Sequence, residues 1–195
     1  MRYIIILGGS IEQEKIYLLC RQYKLKIISV DRLVKPYCFK YSDIHLNVSI
    51  KDPKKIYKQI TKLLIKNIKI IGVVSIASDV PYSVSFLSKK LRLKSIDLKS
   101  SLIASNKIKM KKKFIQHGIL TPKFYHFKKF KKLEKFFKNQ NINFVIKPSD
   151  NSGARGVFLV EKSDLNKKKK IKNFFKKSTI LSKEKRIIVE EFLNG

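Results

Sequence analysis

The sequence predicts an α/β protein in two parts, a parallel-sheet unit followed by a smaller α+β unit. Three observations carry this. Short continuous apolar runs, Tyr3–Leu7, Lys26–Val30 and Ile70–Ile76, alternate with stretches of helical period, the pattern of buried parallel strands joined by crossover helices. A break in the pattern near Leu93 to Lys99 separates domains at 1–97 and 98–195. Beyond it, Phe144–Val160 reads FVIKPSDNSGARGVFLV, two apolar runs around a polar glycine loop, which is a hairpin.

Taken in order, Tyr3–Leu7 stops at Gly8-Gly9-Ser10, a strand running into a tight turn. The helix after it has Ile16, Leu19, Cys20 and Tyr23 at i, i+3, i+4 and i+7 as its expected inward face. Lys26–Val30 is the second strand, ending at Asp31, and Asp43–Val48 is a short third. Asp52-Pro53 opens a helix with an N-cap residue and proline at the first position, and Ile56, Ile60, Leu63 and Leu64 form its stripe. Ile70–Ile76 is the fourth strand, leading through Ala77–Pro81 to a helix carrying Val84, Leu87 and Leu91. Ligands of such sheets bind beyond the carboxyl ends of the strands, which makes Gly8–Ser10 and Ser78-Asp79 candidate substrate contacts.

In the second part, Ser105–Met110 opens a helix that closes at His117-Gly118, glycine being favoured just past a helix end. Lys123–Phe127 is a short strand, and Phe130–Asn139 a basic amphipathic helix with Leu133, Phe136 and Phe137 inward. Asp164–Lys177 is a lysine-rich helix with Leu165, Phe174 and Phe175 as its apolar side, and the run Lys167–Lys170 reads as a solvated turn. Arg186–Leu193 is a last strand, and Ile187–Leu193 is expected to be an unpaired apolar edge prone to aggregate.

A net charge of +31 directs attention first to nucleic acid or an anionic membrane. The distribution argues against both. Only six of the 45 basic residues are Arg, and the lysines are spread between core positions along nearly the whole chain. Ile, Asn and Lys are abundant while Ala, Gly, Pro and Arg are scarce, the slant of a coding sequence rich in A and T. A solvated lysine face accounts for the charge, with weak, salt-sensitive adhesion to nucleic acid. No apolar run reaches bilayer length, Cys20 and Cys38 are expected to be free thiols, and cytoplasm is the expected compartment.

The loop within Phe144–Val160 can fold backbone N–H groups around an anion. Gly153 and Gly156 let the backbone come close, and Lys147 and Arg155 add positive charge. An ordinary hairpin turn explains that stretch alone equally well. Asn106-Lys107 with Gly118–Pro122, the Lys147 strand with its loop, and Val189-Glu-Glu-Phe-Leu193 stand in a fixed order. Together they resemble the front half of an ATP-grasp enzyme, nearest to its carbamoyl-phosphate-synthase-like and carboxylate–amine ligase branches. The first part is similar to the Rossmann-like domain that precedes that fold, and Ser75–Pro81 fits it.

The resemblance implies an ATP-dependent ligase acting through an acylphosphate. Lys107 and Lys147 would reach the phosphates, and Ser149–Gly156, including Ser152, Gly153 and Gly156, would be the flap over the β- and γ-phosphates. Arg155 would be its catalytic cation. Glu190 would approach the adenine amino group, and Glu191 and Leu193 would present backbone to the adenine edge. For Lys107, the neighbours Lys109, Lys111, Lys112 and Lys113 are rivals. Cofactors implied are ATP and Mg²⁺, with the ribose and magnesium ligands in a lobe expected beyond Gly195, so no metal site is assigned in this chain. Partners implied are ATP and a small carboxylic acid and amine; a homodimer is allowed, and no specific nucleic acid or membrane is expected. Two alternatives stay open. One is a nicotinamide-dependent oxidoreductase resting on Gly8–Ser10 and Asp31, although GGSIEQ lacks the usual glycine spacing and puts Glu12 near the pyrophosphate. The other is a non-enzymatic nucleic-acid binder resting on charge.

Overall fold

A run of consecutive apolar residues in a strand must be covered on both faces, and the second half of β1 (Arg2–Leu7) is: Ile5, Ile6 and Leu7 are fully enclosed. The structure, a computed structural model, describes residues 1–64 and 68–194. They divide into two compact units, Met1–Leu102 and Ile103–Gly195. After β1 the first unit continues through α1 (Glu14–Gln22), β2 (Lys26–Asp31), β3 (Ile44–Asn47), α2 (Pro53–Leu64), β4 (Lys69–Val74) and α3 (Pro81–Lys90). Its strands form one parallel sheet in the order β3-β2-β1-β4. The side chains alternate. Ile5, Leu7, Ile28 and Val30 meet Ile56 and Ile60 of α2 and Leu87 of α3, while Ile6 and Ile27 meet Tyr17 and Cys20 of α1. Asp52 caps α2 as expected, its carboxylate accepting from the Lys55 N–H at 3.1 Å.

The inward face of α1 differs from the expected one. Cys20 is buried and Ile16 packs against the same cluster as expected, but Tyr17 is buried as well, whereas Leu19 and Tyr23 are 45% and 66% exposed. The helix is preceded by a 3₁₀ turn, Ile11–Gln13, whose Gln13 is fully buried. The buried stripe therefore runs 13, 17, 20, and the helix is rotated to suit it. Tyr17 donates from its hydroxyl to the Gly8 carbonyl at 2.9 Å, and burial pushes its phenol above the ordinary value.

The residues of the expected break lead into α4 (Leu98–Ala104), capped by Asp97, which accepts from the Ser100 N–H at 2.9 Å. The second unit contains α5 (Lys107–Gln116), β5 (Phe124–Phe127), α6 (Phe130–Phe137), β6 (Phe144–Pro148), β7 (Phe158–Val160), α7 (Lys168–Leu181) and β8 (Ile187–Glu191). Asn106 caps α5, accepting from the N–H groups of Ile108 and Lys109 at 3.1 Å each, and Gly118 beyond it has φ +67°. The strands form an antiparallel sheet, β5-β8-β6-β7. Leu133 and Phe137 of α6 and Ile171 of α7 cover one face, meeting Phe144, Ile146, Val160, Ile187 and Val189.

Two expectations are corrected here. The last strand is not an edge: β8 lies between β5 and β6, and Ile187, Ile188 and Val189 have no exposed surface. Chain order does not determine sheet order, and two earlier strands flank the late one. The Lys167–Lys170 run is solvated as expected, but it is not a turn. Lys168 begins α7, and Lys167 and Lys170 reach the buried Asp164 carboxylate at 2.9 and 2.6 Å.

The Lys170 and then the Lys167 ammonium hold Asp164 below the ordinary carboxylate value of 3.8. Stability from this group is therefore complete above 3.8 and lost as the pH falls through the lower folded-state value. Asp164→Asn is expected to lower the melting temperature at neutral pH, with a gap to wild type that narrows steadily on acidification. Circular dichroism melts across that range check this; a constant gap would contradict it.

Candidate nucleotide-binding site

Side chains alternate along a strand, so if Phe144 and Ile146 of β6 and Ile187 and Val189 of β8 point into the core, their neighbours turn to the other face. Lys147 and Glu190 are two of these. In register, Lys147 faces Ile188 and Glu190 faces Val145, which makes Lys147 and Glu190 diagonal neighbours. Lys147 Nζ lies 2.7 Å from Glu190 Oε2. A second cation reaches the same oxygen from α5: Lys111 Nζ, 3.4 Å away. Lys111 is only 6% exposed, donates to Thr121 Oγ1 at 2.6 Å and lies 5.8 Å from the Phe124 ring centre. Burial pushes its ammonium down from the usual lysine value, and Glu190 opposes that shift. The other carboxylate oxygen, Glu190 Oε1, is enclosed and accepts no hydrogen bond.

The loop after β6 is fastened at its root. Ser149 is buried; its N–H donates to Arg186 O at 3.2 Å, and its carbonyl accepts from the Lys107 N–H at 2.8 Å. The Lys107 ammonium donates to the Asn151 carbonyl. Asp150 accepts from the N–H groups of Lys183 and Glu184 at 3.1 Å, and Asn106 Nδ2 donates to Glu184 Oε1 at 3.0 Å. The loop root, the start of α5 and the approach to β8 are thus one hydrogen-bonded assembly. Along the loop, Gly153, Ala154 and Gly156 have φ of +71°, +54° and +76°. The two glycines differ in surroundings. A Cβ on Gly156 would come within 2.7 Å of Leu181 Cδ1, and its carbonyl accepts from Ser178 Oγ at 2.7 Å. Around Gly153 a Cβ would meet nothing nearer than 3.9 Å. Gly156 is packed against α7, while Gly153, Ala154 and Arg155 form the exposed tip and Ser152 is half-buried before it.

Of the other residues singled out by sequence, Glu191 donates its N–H to Lys123 O at 3.1 Å, and Leu193 lies exposed past the end of β8. The structure brings Lys107 to the loop and Lys147 to Glu190, and it adds Lys111. A signal for Lys111 was present: it follows the buried Ile108 by three positions, so a lysine occupies an inward position of α5.

The turn Gly8–Ser10 is arranged differently. Its Gly8 and Gly9 N–H groups donate to Val30 O at 2.9 Å and Asp31 Oδ2 at 3.0 Å, and Asp31 Oδ1 accepts from the Leu33 N–H. Gln13 Nε2 donates to Leu7 O and Ser78 Oγ, and Gln13 Oε1 accepts from the Ile76 N–H at 3.1 Å. The glycine N–H groups and the acidic residue are engaged within the turn, so this arrangement lends the nicotinamide reading no support. Asp79 is exposed. Among the described residues no three His, Cys, Asp or Glu side chains cluster to hold a metal ion.

Residues 105–195 match the family model described as phosphoribosylglycinamide synthetase, ATP-grasp (A) domain. Over these residues the second unit is similar to an ATP-grasp domain. Solved structures extend the likeness to both units. An L-amino acid ligase from Bacillus licheniformis matches with a TM-score of 0.77 at 16% identity, over 100% of this chain and 45% of that one. N5-carboxyaminoimidazole synthetase from Staphylococcus aureus, complexed with ADP, matches at 0.73 and 14% identity, over 98% and 48%. Phosphoribosylglycinamide synthetase from Anaerococcus prevotii matches at 0.63 and 18%, over 100% and 46%. At these identities the likeness is one of fold. The chain spans less than half the length of these ATP-grasp structures. No curated protein matches it by sequence.

The shared carboxylate makes the three charges of this cluster unequal. Without Glu190, two lysines face each other uncompensated; without Lys147, Glu190 keeps Lys111. Glu190→Ala is expected to cost about 3–5 kcal/mol, as for a broken buried pair, and Lys147→Ala less than half as much. Urea denaturation measures both, and equal losses would show that Lys111 does not share the load.

Proposed function

We propose that the second unit forms the nucleotide-binding wall of an ATP-dependent carboxylate–amine ligase. The observation that carries the reading is the Lys147–Glu190–Lys111 cluster beside the glycine loop, with one buried carboxylate oxygen idle. Two cations and a half-satisfied carboxylate on a strand face are costly to keep without a ligand. A nucleotide answers both demands, since its phosphates attract the lysines and its 6-amino group donates to the idle oxygen. The ADP found in the Staphylococcus aureus structure supports the same choice.

In this reading Lys107 and Lys147 leave their internal acceptors for phosphate oxygens. Backbone N–H groups of Ser149–Gly156, with Ser152 and Gly153 at the moving end and Gly156 at the packed end, close over the β- and γ-phosphates. Arg155 at the exposed tip neutralises charge on the transferred phosphoryl group. Glu190 takes the adenine amino group, and Glu191 and Leu193 offer backbone to the adenine edge. A substrate carboxylate oxygen then attacks the γ-phosphorus and ADP departs with the broken P–O electron pair. An amine nitrogen next attacks the acyl carbon, releasing phosphate and a proton and leaving an amide. The contribution of this chain is positioning and charge neutralisation. Mg²⁺ would shield the phosphate oxygens, but the described residues hold no cluster fit to bind it. Its carboxylates are assigned to other residues, as is the choice of acid and amine. No helix among the described residues is long and apolar enough to cross a membrane, and we place the reaction in the cytoplasm.

Isothermal titration with ATP tests the assignment. Lys147→Ala is expected to weaken binding at least about tenfold, the loss of one charge-assisted contact. Lys168→Ala, which removes a surface pair with Glu134, is expected to leave it within about twofold. Equal effects would identify the loop as an ordinary hairpin turn.

A further inference from the structure

We infer that Lys111 is a positioning residue for the nucleotide base: a reserve cation that holds the Glu190 carboxylate in place when Lys147 turns to a phosphate. This rests on the nucleotide reading above and assigns recognition of the base and of the phosphates to different lysines.

The two cations on Glu190 Oε2 are not equivalent. Lys147 stands at the end of β6 next to the loop, with its side chain 23% exposed, so it has room to move toward a ligand. Lys111 has none. Its ammonium is held by Thr121 Oγ1 and Glu190 Oε2 and lies beside the Phe124 ring, with 8% of the side chain exposed. Lysine is almost never this buried unless paired. A single cation would force a choice, because a phosphate that drew it away would strand a buried carboxylate, which is strongly unfavourable. With two, the departure of Lys147 leaves Glu190 paired to a cation that cannot follow. Both lysines bind the same oxygen, so Oε1 stays free in either state and keeps its direction. Glu190 Oε1 can accept a hydrogen bond from an exocyclic amino group but can donate none to a carbonyl while ionised, so it discriminates a 6-amino from a 6-oxo purine.

The test compares ADP with inosine diphosphate, which differs at that position, by isothermal titration. Wild type is expected to prefer ADP by at least about thirtyfold. Lys111→Met is expected to weaken ADP at least about tenfold while changing inosine diphosphate little, so the preference falls to within about threefold. Lys111→Arg, which keeps the charge, is expected to restore most of it. Lys147→Ala should weaken both nucleotides alike and keep the preference. A Lys111→Met chain with the wild-type preference, or one that loses both nucleotides equally, would overturn the inference while leaving the ATP site standing. Wild type binding neither nucleotide would overturn the ATP reading, and this inference with it. Should Lys111→Met fail to fold, Glu190→Gln removes the buried charge, and the double variant is compared with Glu190→Gln alone. No further change in preference is expected; a further tenfold loss of ADP would refute the coupling to Glu190.

Discussion

One carboxylate shared by two lysines organises the second unit. Glu190 lies on the strand with a neighbour on each side, so its position follows from the register of β5, β8 and β6 together. A buried charge is tolerated only where its partners are fixed. The partners come from β6, the neighbouring strand, and from α5, whose start is tied to the loop root through Lys107, Asn106 and Glu184. Disturbing any of these moves a counter-ion away from a group that cannot be rehydrated cheaply. The same assembly fixes where the glycine loop leaves the sheet, so charge placement and loop placement are one constraint.

The two glycine turns of the molecule make an instructive contrast. Around Gly8 and Gly9 the two glycine N–H groups and the Asp31 carboxylate already have partners, and the buried Gln13 amide lies against the turn. Around Gly153 the backbone is open and its conformation is one that glycine adopts without strain. Both stretches look alike as strings of small residues after a strand. What separates them is whether a side chain from elsewhere fills the concavity.

Charge behaves in a similar way. The large excess of lysine says little, because most of these side chains extend into solvent where any one resembles any other. Four lysines of the described residues stand out as partners of a carboxylate taken out of water. Lys111 and Lys147 compensate Glu190, and Lys170 with Lys167 compensates Asp164. In each case it is the rare acidic residue, taken out of water, that selects particular lysines from the crowd.

Periodicity and local chemistry in the sequence determined the element order, the division into a parallel and an antiparallel part, the hairpin around Phe144–Val160 and the caps at Asp52 and Asn106. These depend on neighbours a few residues apart, and the pattern of apolar residues records them directly. Lys147 was legible because it ends an apolar strand, whereas Glu190 was singled out only by the resemblance to the ATP-grasp family. Tertiary structure alone decided the rest. Ile187–Val189 became a central strand because β5 and β6 close on it from both sides, and strand order is a choice among long-range pairings. The stripe of α1 took in Tyr17 in place of Leu19 and Tyr23, in line with the buried Gln13, which bonds Ser75 62 residues away. The spacing of Lys111 from Ile108 hinted at an inward lysine, but the packing of α5 against β8 is what set it apart from four neighbouring lysines, since burial against a specific carboxylate is a property of the folded surface.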